Sequence, residues 1–168
     1  CLEPLKAEAQ KAMVTEAKRH PITPIIQTAP GFGPVRTAEL LSLVINPCRF
    51  RTSRQFWCYC GLAIVQRSSA NWVQKPNGQL DRVKLNHTRG LNRNFNRMAK
   101  SIFKGAAVTV LTSMPTEPLR KDYDRLVTNG TSPNLARLTL ARKIAATVLA
   151  MWKNQEAYDP GKYRLNSI

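Results

Sequence analysis

The sequence predicts a mainly α protein, with a helix-hairpin-helix element and a small β-hairpin between long N- and C-terminal helices. Three observations carry this. Helix formers with helical spacing dominate residues 5–19 and the stretch after Ser132-Pro133. A Pro-Gly run, Pro30-Gly31-Phe32-Gly33-Pro34, separates two apolar segments of helical character. Pro76-Asn77-Gly78 stands between two mixed runs and signals a tight turn. The chain divides accordingly into a connecting, coiled-coil-like helix (1–20), a central hairpin-bearing region (21–129) and a C-terminal helix with its tail (130–168).

In chain order, LKAEAQKAMVTEAKR places Leu5, Ala9, Ala12 and Ala17 roughly on one side of a helix, which Pro21 and Pro24 end. A short apolar helix leads into the glycine hairpin, and a second helix starts near Val35 with Ala38, Leu41 and Ile45 on one face. Gly31 and Gly33 permit a turn with unusual dihedrals. Without side chains there, amides at the start of the second helix can approach a phosphate oxygen. A plain αα-hairpin without a ligand is the competing reading.

Thr52 or Ser53 caps a helix containing Phe56, Trp57 and Tyr59, and Gly61 ends it. Those aromatics, at that spacing, are core residues more often than a base-stacking platform. The β-hairpin is expected across about 71–84. From Gly90 a helix is expected with Leu91, Phe95, Met98, Ile102 and Ala106 on its packing face. Arg93, Arg97, Lys100 and Lys104 repeat the same spacing about 200° away. They have no acids at i±4, so their mutual repulsion asks for an external anion. A helix over about 116–128 stops near Asn129-Gly130. The last helix starts at Ser132-Pro133 with Leu138, Ala141, Ala145, Val148 and Trp152 on one side, and Asp159-Pro160-Gly161 closes it before a loose tail.

The charge narrows the function. A net charge of +16 on 168 residues points to a polyanion. Its distribution is uneven. Residues 40–116 hold twelve Lys and Arg but a single acid, Asp81. Nucleic acid is therefore the expected partner. No apolar run is long enough to span a bilayer, and the basic helix lacks a broad apolar face for lipid. Cys58 and Cys60 are spaced C-x-C, which fits zinc poorly compared with C-x-x-C, and His20 and His87 stand apart, so reduced cytosolic thiols partly in the core are expected. No metal ligands are assigned. The chain begins at Cys1, not Met, which suggests a fragment or a processed product.

PGFGPVRTAELL, RFRTSRQFWCYCGL, a serine pair, TRGLNRNFNRMAKSIFKGAA, and LARLTLARKIAATVLAMWK ending in YDP follow one another over residues 20–160. Together they resemble the C-terminal transposase domain of the insertion-sequence one-hundred-and-ten family, which is similar to the Piv-type DNA invertases. The resemblance implies a DNA-binding part of a transposase or site-specific recombinase of the bacterial cytoplasm and nucleoid. It implies an N-terminal RuvC-like domain, absent from this chain, whose acidic tetrad binds Mg²⁺, and a coiled-coil connection on which homo-oligomers are built. It further implies a structured bridge RNA as guide, and a serine that attacks a DNA phosphodiester to form a phosphoserine link.

Counted from Gly61-Leu62, Ser69 takes the family's serine position and Ser68 is the second candidate. Ala70-Asn71 stand where the family often has glycines. A serine hydroxyl needs a base or a metal to attack. No His or carboxylate neighbours Ser69 in sequence, so this chain's share of the chemistry is electrostatic. Arg67, with Arg89, Arg93 or Arg97, would hold the phosphate, and Gly31, Gly33, Lys100 and Lys104 would extend the contact. Lacking the acidic domain, the isolated chain is expected to bind and not to cleave. Two readings that assign no chemistry also stand: a sequence-nonspecific helix-hairpin-helix binding module, and a serine pair that is a polar turn.

Overall fold

The computed structural model describes residues 2–67, 72–82 and 87–162. The mainly α expectation holds. Helices α1 (Leu2–Ala17), α2 (Ile22–Gln27), α3 (Pro34–Val44) and α4 (Ser53–Tyr59) precede a β arm, and α5 (Arg97–Ser113), α6 (Pro118–Thr128) and α7 (Pro133–Asn154) follow it. The arm comprises β1 (Ile64–Arg67), β2 (Trp72–Gln74), β3 (Leu80–Arg82) and β4 (His87–Leu91).

Helix α7 is the central element, because its sequence is apolar on more than one side. Leu140, Ala141, Ile144, Ala145, Val148, Leu149, Met151 and Trp152 are all buried. Four of the five residues expected on its packing side, Ala141, Ala145, Val148 and Trp152, are in the core, and Leu138 is packed against it. Helices α2, α4, α5 and α6 contact α7, and α1 lies against α3. A file of aromatic rings runs through this core. Phe32 meets Phe103 at 5.7 Å between centroids, Phe103 meets Phe56 edge-on at 5.5 Å, and Phe56 meets Phe50 at 5.0 Å. Phe56 is thus a core residue, as its spacing suggests.

Three expectations about elements need correction. The first concerns α3, whose buried face is Thr37, Ala38, Leu40 and Val44. Ile45, expected on that face, lies beyond the helix at φ 58° and is 79% exposed. The second concerns the helix expected from Gly90. It starts at Arg97, where the Asn96 side chain accepts a hydrogen bond from the Ala99 amide. Leu91 instead belongs to β4, and Met98 is 52% exposed. The packing face consists of Ala99, Ile102, Phe103, Ala106, Ala107 and Val110. Gly90 takes φ 81° at an irregularity of the β1–β4 ladder, where one residue, Val65, lies opposite two, Arg89 and Gly90. The glycine serves a bulge, and a bulge leaves no mark on helical periodicity.

The third correction concerns the hairpin. It turns at residues 75–79, where the Gly78 amide donates to the Lys75 carbonyl and Gly78 adopts φ 78°. The pairing extends past the expected 71–84 to a second ladder between β1 and β4. Gln66 faces Thr88 and Arg67 faces His87; Trp72 faces Arg82 and Val73 faces Asp81. Both ladders therefore share one register. The root of the arm is pinned to the helices: the Asn92 amide donates to the Ala63 carbonyl at 3.2 Å, and Arg142 Nε of α7 donates to the Leu62 carbonyl at 2.6 Å.

Helix α6 is held to α7 by a buried charge. Asp122 is 2% exposed and pairs with Lys143 of α7 and with Arg125 Nη2 at 3.3 Å. Removing one partner of a buried pair strands the other. Asp122→Ala should therefore lower stability by about 3–5 kcal/mol in urea unfolding. Arg125→Ala, on the solvent side of the same carboxylate, should cost less than about 1 kcal/mol.

Candidate nucleic-acid interface

The cationic helix and the glycine hairpin are brought together by close backbone packing. Gly31, at φ 75°, is buried against α5: a Cβ there would lie 2.4 Å from the Ala106 carbonyl oxygen and 2.9 Å from the Ala106 Cα. No side chain fits such a space. Arg36, in the first turn of α3, locks the arrangement. Its Nη1 donates to the Gly31 carbonyl at 2.7 Å and to Thr109 Oγ1 at 3.0 Å. Gly105 makes room for it, since a Cβ there would stand 3.3 Å from Arg36 Nε. Gly33 is different. It precedes Pro34 at the N-terminus of α3 with extended backbone, and an added Cβ would meet nothing within 4 Å. Gly31 is thus a packing glycine, and Gly33 sits in open space at a helix start.

Along α5 the cations line a shallow groove. Arg97, Lys100 and Lys104 share it with Phe95, Ser101 and Gly105, the same Gly105 that abuts Arg36. Lys100 Nζ rests over the Phe95 ring, 4.3 Å from its centroid, so its stem and head are pre-positioned. Helix α5 contains no acid, and none of the residues lining the groove is acidic. Arg93, expected on the helix, is instead exposed in the turn before it, where Asn92 Oδ1 accepts from the Asn94 amide.

Arg67 ends β1 opposite His87, and Arg89 lies at the bulge of β4. Ser68 and Ser69 fall outside the described residues. Among the described residues no three His, Cys, Asp or Glu side chains gather as a metal site, so they offer no carboxylate cluster that fits Mg²⁺.

Two arginines that sequence reasoning did not single out matter locally. Arg49 stacks on both Phe50 and Tyr59, 4.8 Å from each ring centroid. Tyr59 in turn accepts from Asn96 Nδ2, the N-cap of α5, at 3.2 Å. An RF dipeptide followed at a distance by Tyr is the only trace of this in the sequence. Arg142 is structural: besides its bond to Leu62, its own carbonyl accepts from Trp57 Nε1 at 3.0 Å, and burial lowers its pKa. Of the cysteines, Cys60 is buried and its thiol is pushed far up by desolvation, whereas Cys48 and Cys58 are exposed and free.

The Transposase IS116/IS110/IS902 family profile matches residues 23–124, from α2 through most of α6. The chain belongs to the IS116/IS110/IS902 transposase family. The match spans the glycine hairpin, the β arm and the whole of α5. Two curated relatives are similar over nearly the full chain. One is the "Insertion element IS110 uncharacterized 43.6 kDa protein" of Streptomyces coelicolor, 29% identical over 90% of this chain and 33% of its own length. The other is the "Insertion element IS900 uncharacterized 42 kDa protein" of Mycobacterium paratuberculosis, 29% identical over 89% of this chain and 34% of its own length. The chain thus spans about a third of the curated relatives it matches. Among the described residues no helix is long and apolar enough to cross a membrane.

The two glycines should separate cleanly on substitution. Gly31→Ala forces a side chain into left-handed backbone against the α5 main chain, so it should destabilise by at least about 1–3 kcal/mol in thermal or urea unfolding. Gly33→Ala, in open space at the helix start, should cost no more than about 1 kcal/mol.

Proposed function

We propose that this transposase-family chain is the part that seats the DNA backbone and presents a serine for strand cleavage and joining. The observation that carries the reading is the juxtaposition on α5. A row of cations, Arg97, Lys100 and Lys104, lies on an acid-free helix whose next turn packs against the glycine elbow. Such a row reads the sugar-phosphate backbone, not base edges. The amides at the start of α3, beyond Gly33, add the donors of a helix N-terminus, and the macrodipole favours an anion there. In keeping with its family, we assign Ser69 as the nucleophile and Ser68 as its alternative.

The exchange balances as a transesterification. Serine Oγ forms a bond to phosphorus, one bridging P–O bond breaks, the serine proton passes to a base, and the freed sugar oxygen takes up a proton. Arg67, Arg89 and Arg93 would stabilise charge on the non-bridging oxygens. Mg²⁺, when bound, would polarise the phosphate and activate the hydroxyl. We place its carboxylate ligands in another part of the full-length family protein, together with the oligomer contacts and any guide RNA.

Duplex DNA binding by this chain should weaken steeply with salt. Each phosphate contact contributes about −0.9 to the slope of log K against log salt. The triple variant Arg97→Ala/Lys100→Ala/Lys104→Ala should make that slope shallower by roughly 2 to 3, measured by fluorescence anisotropy across a salt series. An affinity indifferent to salt, or a slope the triple variant leaves alone, counts against the reading. A nicked suicide substrate with a full-length family protein carrying this sequence should trap a covalent adduct that Ser69→Ala abolishes. Loss with Ser68→Ala alone would move the nucleophile by one residue.

A further inference from the structure

A second groove opens on the other flank of Lys100 and Lys104, between α5 and the first turn of α7. Its lining adds Ser132, Asn134, Leu135 and Arg137 to the two lysines, and no acid contributes to it. We propose that this groove is a second phosphodiester seat on the DNA path, with Arg137 as its specific ligand.

Four features point to an anionic strand. Three cations converge from two helices onto one cleft. Lys100 and Lys104 stand one helical turn apart, about 6 Å along the axis, and belong to both grooves, so the two clefts form one track across α5. Arg137 Nε is buried and has no hydrogen-bond partner among the described residues. The enclosed Nε holds the guanidinium in place, and its terminal nitrogens, for which no acceptor lies among the described residues, are left to donate to an incoming oxygen anion.

The start of α7 faces the same cleft and is uncompensated. Ser132 makes no side-chain cap, the first turn has no acid, and the 22-residue helix contains none. The first hydrogen bond of the helix is the Ala136 amide to the Ser132 carbonyl, so the amides of Asn134 and Leu135 have no partner within the helix. A track open at both flanks suits a continuous strand better than a free anion, and Leu135, 47% exposed, offers apolar contact for a sugar.

This inference rests on the DNA reading above, and the test separates the two. The probes are a 20-base-pair DNA duplex and an RNA duplex of the same sequence, titrated against the 168-residue chain over a salt series. Arg137→Gln should weaken DNA binding several-fold and make the salt slope shallower by about 1. Asn134→Asp changes one exposed atom and adds a carboxylate at a helix start, where it favours the helix. Its melting temperature should hold or rise while DNA binding falls several-fold, a split that a purely structural role would not produce. If both variants bind DNA like the parent while Arg97→Gln does not, the groove is empty of DNA and only this inference falls. If Arg97→Gln is also without effect, the DNA reading falls with it. A loss confined to the RNA duplex would overturn DNA as the occupant.

Discussion

At one point in this molecule two main chains touch. The elbow at Gly31 lies against the Ala106 carbonyl with no room for a side chain on either approach, and the placement of α3 against α5 follows from it. Small residues line the contact on the α5 side as well, Gly105 and Ala106, and Arg36 closes it by donating to both partners, the Gly31 carbonyl and Thr109 Oγ1. A contact made by backbones is short and stiff, because it has no rotamers to relax. It fixes where α3 begins relative to the cationic row of α5, the relationship on which the proposed backbone-reading surface rests.

The scarcity of acids shapes the rest. Ten acids cannot pair with twenty-six Lys and Arg, and much of the fold's polar chemistry is cation to carbonyl. Arg120 donates to the Leu111 carbonyl near the end of α5, Arg142 to Leu62, Lys153 to Phe50, and Arg36 to Gly31. Each satisfies an acceptor that a helix end or turn leaves open. Among the described residues the one deeply buried acid, Asp122, is shared between Lys143 and Arg125. Arginine and lysine are thus divided by geometry. Those facing inward cap carbonyls, while Arg51, Arg54, Arg93, Arg97 and Lys104 stay exposed and give the surface its potential.

Much of the fold was legible because periodicity, the proline at a first helical position and the Thr52 cap record it directly, although the Ser132 side chain, expected to cap α7, makes no such bond. Ser132-Pro133 marked the start of α7, Thr52 the start of α4, and the apolar stripe of α7 lay where its spacing put it. What the sequence concealed was non-local. Leu91 and Phe95 continue the spacing of Ile102 and Ala106 by coincidence, and strand pairing with residues 64–67 decides against a helix there. That pairing is twenty-odd residues away and has no local signature. The family and its basic row were readable from motif order and from charge. The distinct duties of Gly31 and Gly33 were not, since two glycines two residues apart look alike until one has a neighbour at van der Waals distance. Arg137 escaped for a similar reason: in LARLTLARK it reads as one more helix former, and only the approach of α5 gives it a neighbourhood.

The shared register of the two β ladders carries a further consequence. Between them lie four residues on the outgoing side, 68–71, and four on the returning side, 83–86, so the two spans are matched in length. The 75–79 turn fixes the β2–β3 pairing by itself, so lengthening only one span would leave that ladder intact and place an extra, unmatched residue between it and the β1–β4 ladder. In this chain an added residue on one side would call for an opposed residue on the other, or for a bulge such as the one at Gly90.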